Sequence, residues 1–115
     1  MAHRILRVDD ERGWRSIVAL YFDCLGYETL PAEDSAQAIC KTIDEQPNLI
    51  VIDMNGIEAT VALKRDLYTP KIPVVVVTGM ADARWKEEAL KAGVSKYIVK
   101  PISLSELGAI VKTLV

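Results

Sequence analysis

Short apolar runs alternate with longer segments of helical periodicity along the whole chain. Runs rich in β-branched and other apolar residues predict five strands, at residues 4–8, 27–30, 49–53, 73–78 and 96–100. Apolar residues at helical spacing predict five helices: residues 12–25, a helix capped by Asp34 or Ser35 that ends near Glu45, residues 57–67, a helix capped by Asp82 that ends near Ala92, and a last helix capped by Ser103. The chain therefore consists of five strand–helix units in succession.

This regular alternation predicts an open, doubly wound α/β fold around a five-stranded parallel sheet. Strands joined by helices are normally parallel, and an apolar run such as 73–78 implies that helices cover both faces of the sheet. Arg7 is unusual because it interrupts the otherwise apolar first strand. In sheets of this kind, ligands bind beyond the carboxyl ends of the strands.

The composition is typical of one globular domain, residues 1–115. Of the 115 residues, 50% are hydrophobic and 26% are charged, and the net charge is −2. The basic residues are scattered, which argues against a nucleic-acid-binding surface, and no apolar run approaches the roughly 18 residues of a membrane span. The N-terminus carries no signal-peptide core, and Cys24 and Cys40 lack metal-ligand spacing. We therefore expect a cytoplasmic protein whose two thiols are reduced and buried.

Polar residues stand where four of the predicted strands end. These residues are Asp9 and Asp10, Asp53, Thr78 and Lys100. Carboxylates gathered at one edge repel each other unless a cation offsets them, and Mg²⁺ favours carboxylate and phosphate oxygens. The set indicates phosphate chemistry with Asp53 as the nucleophile and with Thr78 and Lys100 facing an anion. Taken singly, each of these residues is also common in a turn, a helix cap or a solvated bend.

Four segments resemble the receiver domain of two-component response regulators, and the resemblance spans essentially the whole chain. They read ILRVDDE, PNLIVID, PVVVVTG and KAGVSKYIVKPIS. The resemblance implies a flavodoxin-like (β/α)5 fold with strand order 2-1-3-4-5. It also implies a signalling domain that assists its own phosphorylation and dephosphorylation rather than a conventional enzyme.

The same resemblance implies a role for each residue at the strand ends. Asp53 accepts a phosphoryl group from a phosphohistidine of a sensor histidine kinase or a histidine phosphotransfer protein. Asp10 and Asp53 bind Mg²⁺ or Mn²⁺ directly, and Asp9 assists, through water. Lys100 contacts Asp53 and then the phosphoryl oxygens, and Thr78 hydrogen-bonds the phosphoryl group.

Tyr97 is implied to be a switch residue that turns inward as the hydroxyl of Thr78 moves. The surface that changes consists of the fourth helix, the fifth strand and the fifth helix, roughly residues 82–112. This surface is also the expected contact of a homodimer. Without the resemblance, Tyr97 is simply a half-buried aromatic residue in a strand.

The segment after Asp53 departs from the family pattern. Gly56 follows so soon that this chain has about five residues fewer than the family usually places there. Either the loop is genuinely short, or residues are missing from the sequence at this point. A genuinely short loop makes the Asn55 carbonyl the backbone metal ligand, whereas missing residues leave that ligand unidentified.

Two other functions compete with the phospho-accepting one. A haloacid-dehalogenase-type phosphatase also uses an aspartate at a strand end, but its second acid falls on Asn55 and it gives Asp9 and Asp10 no role. A pseudo-receiver, which binds a partner without being phosphorylated, requires a broken metal site. A genuinely short loop after Asp53 favours that alternative.

Overall fold

The computed structural model describes residues 3–9, 12–53, 72–78, 83–91, 93–100 and 102–115. Within them lie, in chain order, β1 (Arg4–Asp9), α1 (Arg12–Cys24), β2 (Glu28–Ala32), α2 (Ser35–Glu45), β3 (Leu49–Asp53), β4 (Val74–Thr78), α3 (Ala83–Lys91), β5 (Lys96–Val99) and α4 (Leu104–Leu114). The helix expected over 57–67 lies outside the described residues. Helices α3 and α4 therefore correspond to the fourth and fifth helices predicted from the sequence.

The five strands form one parallel sheet in the order β2-β1-β3-β4-β5. This order confirms the predicted doubly wound α/β fold and its flavodoxin-like topology. The change in winding direction falls between β1 and β3, which are neighbours in the sheet although β2 comes between them in the sequence. Ligand sites of such folds lie at the carboxyl ends of the strands near this point.

Helices cover both faces of the sheet, and each face has its own hydrophobic core. The core beneath α2 and α3 contains Leu6, Val8, Ala32, Ala38, Ile50, Ile52, Val74, Val76, Ala89 and Val94. The core beneath α1 and α4 contains Ile5, Val18, Phe22, Leu49, Val51, Val75, Val77, Leu107 and Val111. Alternate residues of β3 and β4 enter opposite cores, which explains why these strands are apolar without interruption.

Side-chain caps fix where two helices begin. Asp34 caps α2 by accepting a hydrogen bond from the Gln37 amide at 2.8 Å. Ser103 caps α4 in the same way, accepting from the Glu106 amide at 3.1 Å. Each cap satisfies an amide that the helix itself leaves without a partner, which typically contributes about 1 kcal/mol. Both caps agree with the sequence prediction.

Strand β2 continues through Pro31, whereas the sequence predicted that it would end at residue 30. A proline is compatible with this strand because β2 lies at the edge of the sheet. The Glu28 amide donates to the His3 carbonyl at 2.9 Å, and amides alternate in direction along a strand, so the Pro31 nitrogen faces away from β1. The ammonium group of Lys41 donates to the outward Pro31 carbonyl.

Both cysteines are exposed, so the prediction of buried thiols was wrong. Among the residues of α1 whose burial is described, Val18 and Phe22 are buried, and Cys24 follows Phe22 by two positions, on the outer side of the helix. In α2 the buried positions are Ala38 and Thr42, and Cys40 lies between them on the opposite side. Apolar character alone therefore misplaced two residues whose helical phase points outward.

Helices α1 and α4 approach closely at Gly108. A Cβ atom at this position would lie 2.9 Å from the ring and hydroxyl of Tyr21 and 3.2 Å from Leu25 Cδ1. The absence of a side chain at Gly108 therefore lets the two helices cover the same face of the sheet.

Among the described residues, no helix combines the length and the apolar character needed to cross a bilayer.

Substitution of Gly108 by leucine should destabilise the fold. The added side chain cannot enter the space held by Tyr21 and Leu25 unless α4 moves outward, and overpacking of this kind typically costs about 1–3 kcal/mol. Urea unfolding of Gly108→Leu measures the loss. Ala109→Leu is the matched control, because Ala109 is exposed on the same helix and its replacement should change stability by less than about 0.5 kcal/mol. Equal stability of the two variants would contradict this account of the helix contact.

Both thiols should react with Ellman's reagent in the native protein. Because Cys24 and Cys40 are exposed, we expect two equivalents of thiolate product before any denaturant is added. Cys24→Ser and Cys40→Ser should each remove one equivalent. A thiol that reacts only after unfolding would show that the corresponding helix turns its cysteine inward.

Candidate functional site at the carboxyl edge of the sheet

Strands β1 and β3 end side by side, each on an aspartate. In the parallel register, Asp9 lies opposite Asp53 at the last position of both strands. Neighbouring strands are about 4.8 Å apart, so two carboxylate-bearing positions meet at this edge. Asp9 is 2% exposed. Asp10 and the side chain of Asp53 lie outside what the structure describes.

Strands β4 and β5 bring two more of the expected residues to the same edge. Val77 pairs with Asp53, and Thr78 is the next residue of β4, buried to 3% exposure. The backbone amide of Lys100 donates to the Thr78 carbonyl at 2.7 Å, directly after the pairing of Thr78 with Val99. This hydrogen bond continues the β4–β5 ladder by one residue and holds the half-buried lysine beside Thr78.

Arg7 lies two residues before Asp9 in β1 and is also buried. Its Nη1 atom is 3.8 Å from Asp9 Oδ2, and the two side chains are 7% and 3% exposed. Successive side chains of a strand alternate between its faces, so Arg7 and Asp9 share the face of Ile5, which belongs to the core beneath α1 and α4. The sequence marked Arg7 as unusual but did not identify its partner, although the spacing of two residues in a strand is the signal for a shared face.

Tyr97 lies in β5, two positions before the residue that pairs with Thr78. It is half-buried, pairs in register with Val76 and packs against the core beneath α2 and α3. Its ring therefore lies at the face of the sheet that α3 covers, within β5.

The donor chemistry of the edge fits a hard divalent cation. Two carboxylate positions, Asp9 and Asp53, meet in register, and oxygen ligands of this kind suit Mg²⁺ or Mn²⁺. Among the residues that the structure describes, no three histidine, cysteine, aspartate or glutamate side chains gather at one point. Asp10, the third expected carboxylate, is outside those residues.

A family model described as the response regulator receiver domain matches residues 5–112. The matched segment contains all six residues singled out above for the strand ends and the switch: Asp9, Asp10, Asp53, Thr78, Tyr97 and Lys100.

Two relatives are identical to this chain at between a third and two fifths of the aligned positions. The phosphate regulon transcriptional regulatory protein PhoB of Pseudomonas aeruginosa is 39% identical over 113 residues, covering 94% of this chain and 49% of that protein. PhoB of Escherichia coli is 35% identical over 117 residues, covering 97% of this chain and 51% of that protein. The chain thus spans about half the length of these two relatives.

Solved structures show the same fold. A response regulator receiver domain protein (CheY-like) from Methanospirillum hungatei superposes with a TM-score of 0.90 at 26% identity. The superposition covers 98% of this chain and 93% of that one.

The segment after Asp53, where the sequence has about five residues fewer than the family usually places there, lies outside the described part of the chain, as do all of residues 54–71.

Proposed function

The chain belongs to the response regulator receiver family, and we propose that residues 1–115 form a receiver domain that accepts a phosphoryl group on Asp53. One observation carries the choice of residue: β1 and β3 pair so that Asp9 lies opposite Asp53 at the carboxyl edge. Thr78 and Lys100 reach the same edge and are joined by a backbone hydrogen bond. The arrival of these residues at one edge supports the proposal, because phosphoryl transfer to a carboxylate uses acidic, hydroxyl and ammonium groups.

In the proposed reaction, a phosphoryl group passes from an imidazole nitrogen of the partner to a carboxylate oxygen of Asp53. A carboxylate oxygen of Asp53 attacks the phosphorus of a phosphohistidine on a sensor histidine kinase or a histidine phosphotransfer protein. The P–O bond to Asp53 forms as the P–N bond to the imidazole breaks, and the imidazole leaves with the electron pair of that bond. No oxidant or second substrate is needed, and the domain acts as a signalling element rather than as an enzyme with turnover.

Asp9, Asp10 and Asp53 would hold the divalent metal ion that receiver domains of this family generally use. Bound there, Mg²⁺ or Mn²⁺ offsets the charge that the phosphoryl oxygens bring to an acidic edge. Lys100 pairs with Asp53 before transfer and with a phosphoryl oxygen afterwards. The Thr78 hydroxyl donates a hydrogen bond to another phosphoryl oxygen.

Phosphorylation changes the surface formed by α3, β5 and α4. Thr78 moves towards the phosphoryl group, and the space it leaves lets the half-buried Tyr97 turn inward against the core beneath α2 and α3. Phosphorylation stabilises the state with Tyr97 inside by the amount of free energy by which the phosphoryl group binds Thr78 more tightly in that state than in the other. We place the homodimer contact on this same surface.

The remaining assignments concern partners and location. We propose that this chain itself contacts neither nucleic acid nor membrane, because its 14 basic residues are scattered and its net charge is −2. We place it in the cytoplasm, where the phosphohistidine of its partner would be available.

Substitution of the acceptor should abolish phosphorylation. With acetyl phosphate or phosphoramidate and Mg²⁺, the wild-type chain should gain one phosphoryl group per molecule by intact mass, and Asp53→Ala should gain none. Asp44→Ala is the matched control, since Asp44 is an exposed acid on α2 and its loss should leave labelling unchanged. The label should be released by hydroxylamine, as expected for an acyl phosphate.

Equal labelling of wild type and Asp53→Ala would overturn the assignment. If neither the phosphodonor nor BeF₃⁻ with Mg²⁺ changes the protein, the pseudo-receiver alternative is favoured. Repeated turnover of a small phosphate ester would instead support a phosphatase.

Removal of the Thr78 hydroxyl should separate phosphorylation from switching. Thr78→Val should still be labelled on Asp53, within about threefold of the wild-type extent, because the nucleophile is intact. The response of Tyr97 to phosphorylation, followed by ¹⁹F NMR of fluorotyrosine and assigned with Tyr97→Phe, should be lost. Thr113→Val is the control, because the Thr113 hydroxyl bonds its own helix at Ile110 and lies on the surface. A full Tyr97 response in Thr78→Val would remove Thr78 from the switch.

A further inference from the structure

Arg7 places a permanent positive charge inside the molecule, directly below the acidic edge. The residue is 5% exposed in the middle of β1, where it pairs in register with Val51. The flanking residues on the same face, Ile5 and Val51, belong to the core beneath α1 and α4. A guanidinium group does not lose its proton at any ordinary pH, so its charge must be compensated where it lies.

Asp9 is a compensating charge for Arg7. The Nη1–Oδ2 distance of 3.8 Å, with side-chain exposures of 7% and 3%, describes an ion pair that is shielded from water. Such a pair is screened little by salt, and each partner depends strongly on the other because an isolated buried charge is costly. Arg7 and Asp9 together therefore contribute no net charge to the edge, whereas Asp9 alone would contribute a negative one.

We propose that Arg7 is a fixed counter-charge of the acidic edge that weakens divalent metal binding by competing for Asp9. Divalent-cation affinity rises with the number of negative charges that the ligands carry, and one of the carboxylates here faces a guanidinium group. Arg7 is thus a positioning residue, which acts on the metal through Asp9 and does not touch it. The inference rests on the proposed function only for the existence of the metal site.

The first strand offers a matched control for this charge. Arg4 is three residues before Arg7, at the opposite end of β1, and its Nη1 atom bonds Glu45 Oε2 at 2.7 Å. Its side chain is 37% exposed and that of Glu45 is 46% exposed. Replacement of Arg4 by methionine removes the same charge from the same strand, but far from the acidic edge and within reach of water.

The test is a titration of the chelator-treated protein with Mg²⁺ and with Mn²⁺ by isothermal titration calorimetry. Arg7→Met and Arg7→Gln should both bind each ion about tenfold more tightly than wild type, because the carboxylates then carry one more uncompensated negative charge. Arg4→Met should bind within about twofold of wild type, because its pair is exposed and remote. Arg7→Lys, which keeps the charge, should also remain near the wild-type affinity.

Unchanged or weaker metal binding in the two neutral Arg7 variants would overturn the proposal, as would equal tightening in Arg4→Met. Arg7→Gln is included because its amide can still bond Asp9 if the methionine variant does not fold. Folding of a neutral variant only when Mg²⁺ is present would support the proposal, since the ion would then replace the missing charge. Failure of both neutral variants to fold even in excess Mg²⁺ would overturn it, because Arg7 would then serve the core.

Phosphorylation decides the proposed function separately. If wild type is not labelled on Asp53 but the neutral Arg7 variants bind metal more tightly, the counter-charge stands and the phospho-accepting role fails. If Asp53 is labelled and the affinities are equal, the role stands and the counter-charge fails.

Discussion

The lateral register of the parallel strands is the constraint on which the candidate site depends. Asp9 and Asp53 meet because β1 and β3 end at the same height, and Thr78 follows the residue that pairs with Asp53. A slip of one residue would set Asp9 opposite Ile52 and turn the apolar residues of β1 to the wrong faces. Ile5 and Leu6, both fully buried in opposite cores, make such a slip costly. Packing in the interior therefore fixes the positions of groups at the rim.

A sheet covered on both faces leaves its polar and charged side chains little room except at the ends of the strands. Four of the expected site residues obey this rule, while Arg7 breaks it by remaining inside β1. The exception is tolerable because Asp9, two residues further, points to the same side of the strand. Burial and charge pairing are thus coupled in this strand: the core that excludes water also makes the acidic edge sensitive to a residue that lies below it.

The sequence predicted what local chemistry and topology determine. The caps at Asp34 and Ser103 depend on residues three positions away, and the edge location of the site follows from the alternation of strands and helices. Pro31 was misjudged because its place in a strand depends on β2 being the outermost strand, which is a property of the whole sheet. The pairing of Arg7 with Asp9 was missed for a similar reason. Strand alternation puts Arg7 and Asp9 on one face. Only the packed helices exclude water from that face, and this exclusion strengthens the ion pair.

The outer side of β2 has a consequence for how this protein meets copies of itself. An exposed strand edge normally offers alternating donors and acceptors to any passing chain, and sheets can grow by accepting another strand there. At residue 31 the outward donor is absent because the residue is proline, and the outward carbonyl already accepts a hydrogen bond from Lys41. A strand added from a second molecule would find no donor at this position and would meet the Lys41 ammonium at the carbonyl. Residue 31 therefore interrupts the row of donors and acceptors that an added strand would need along this side of β2.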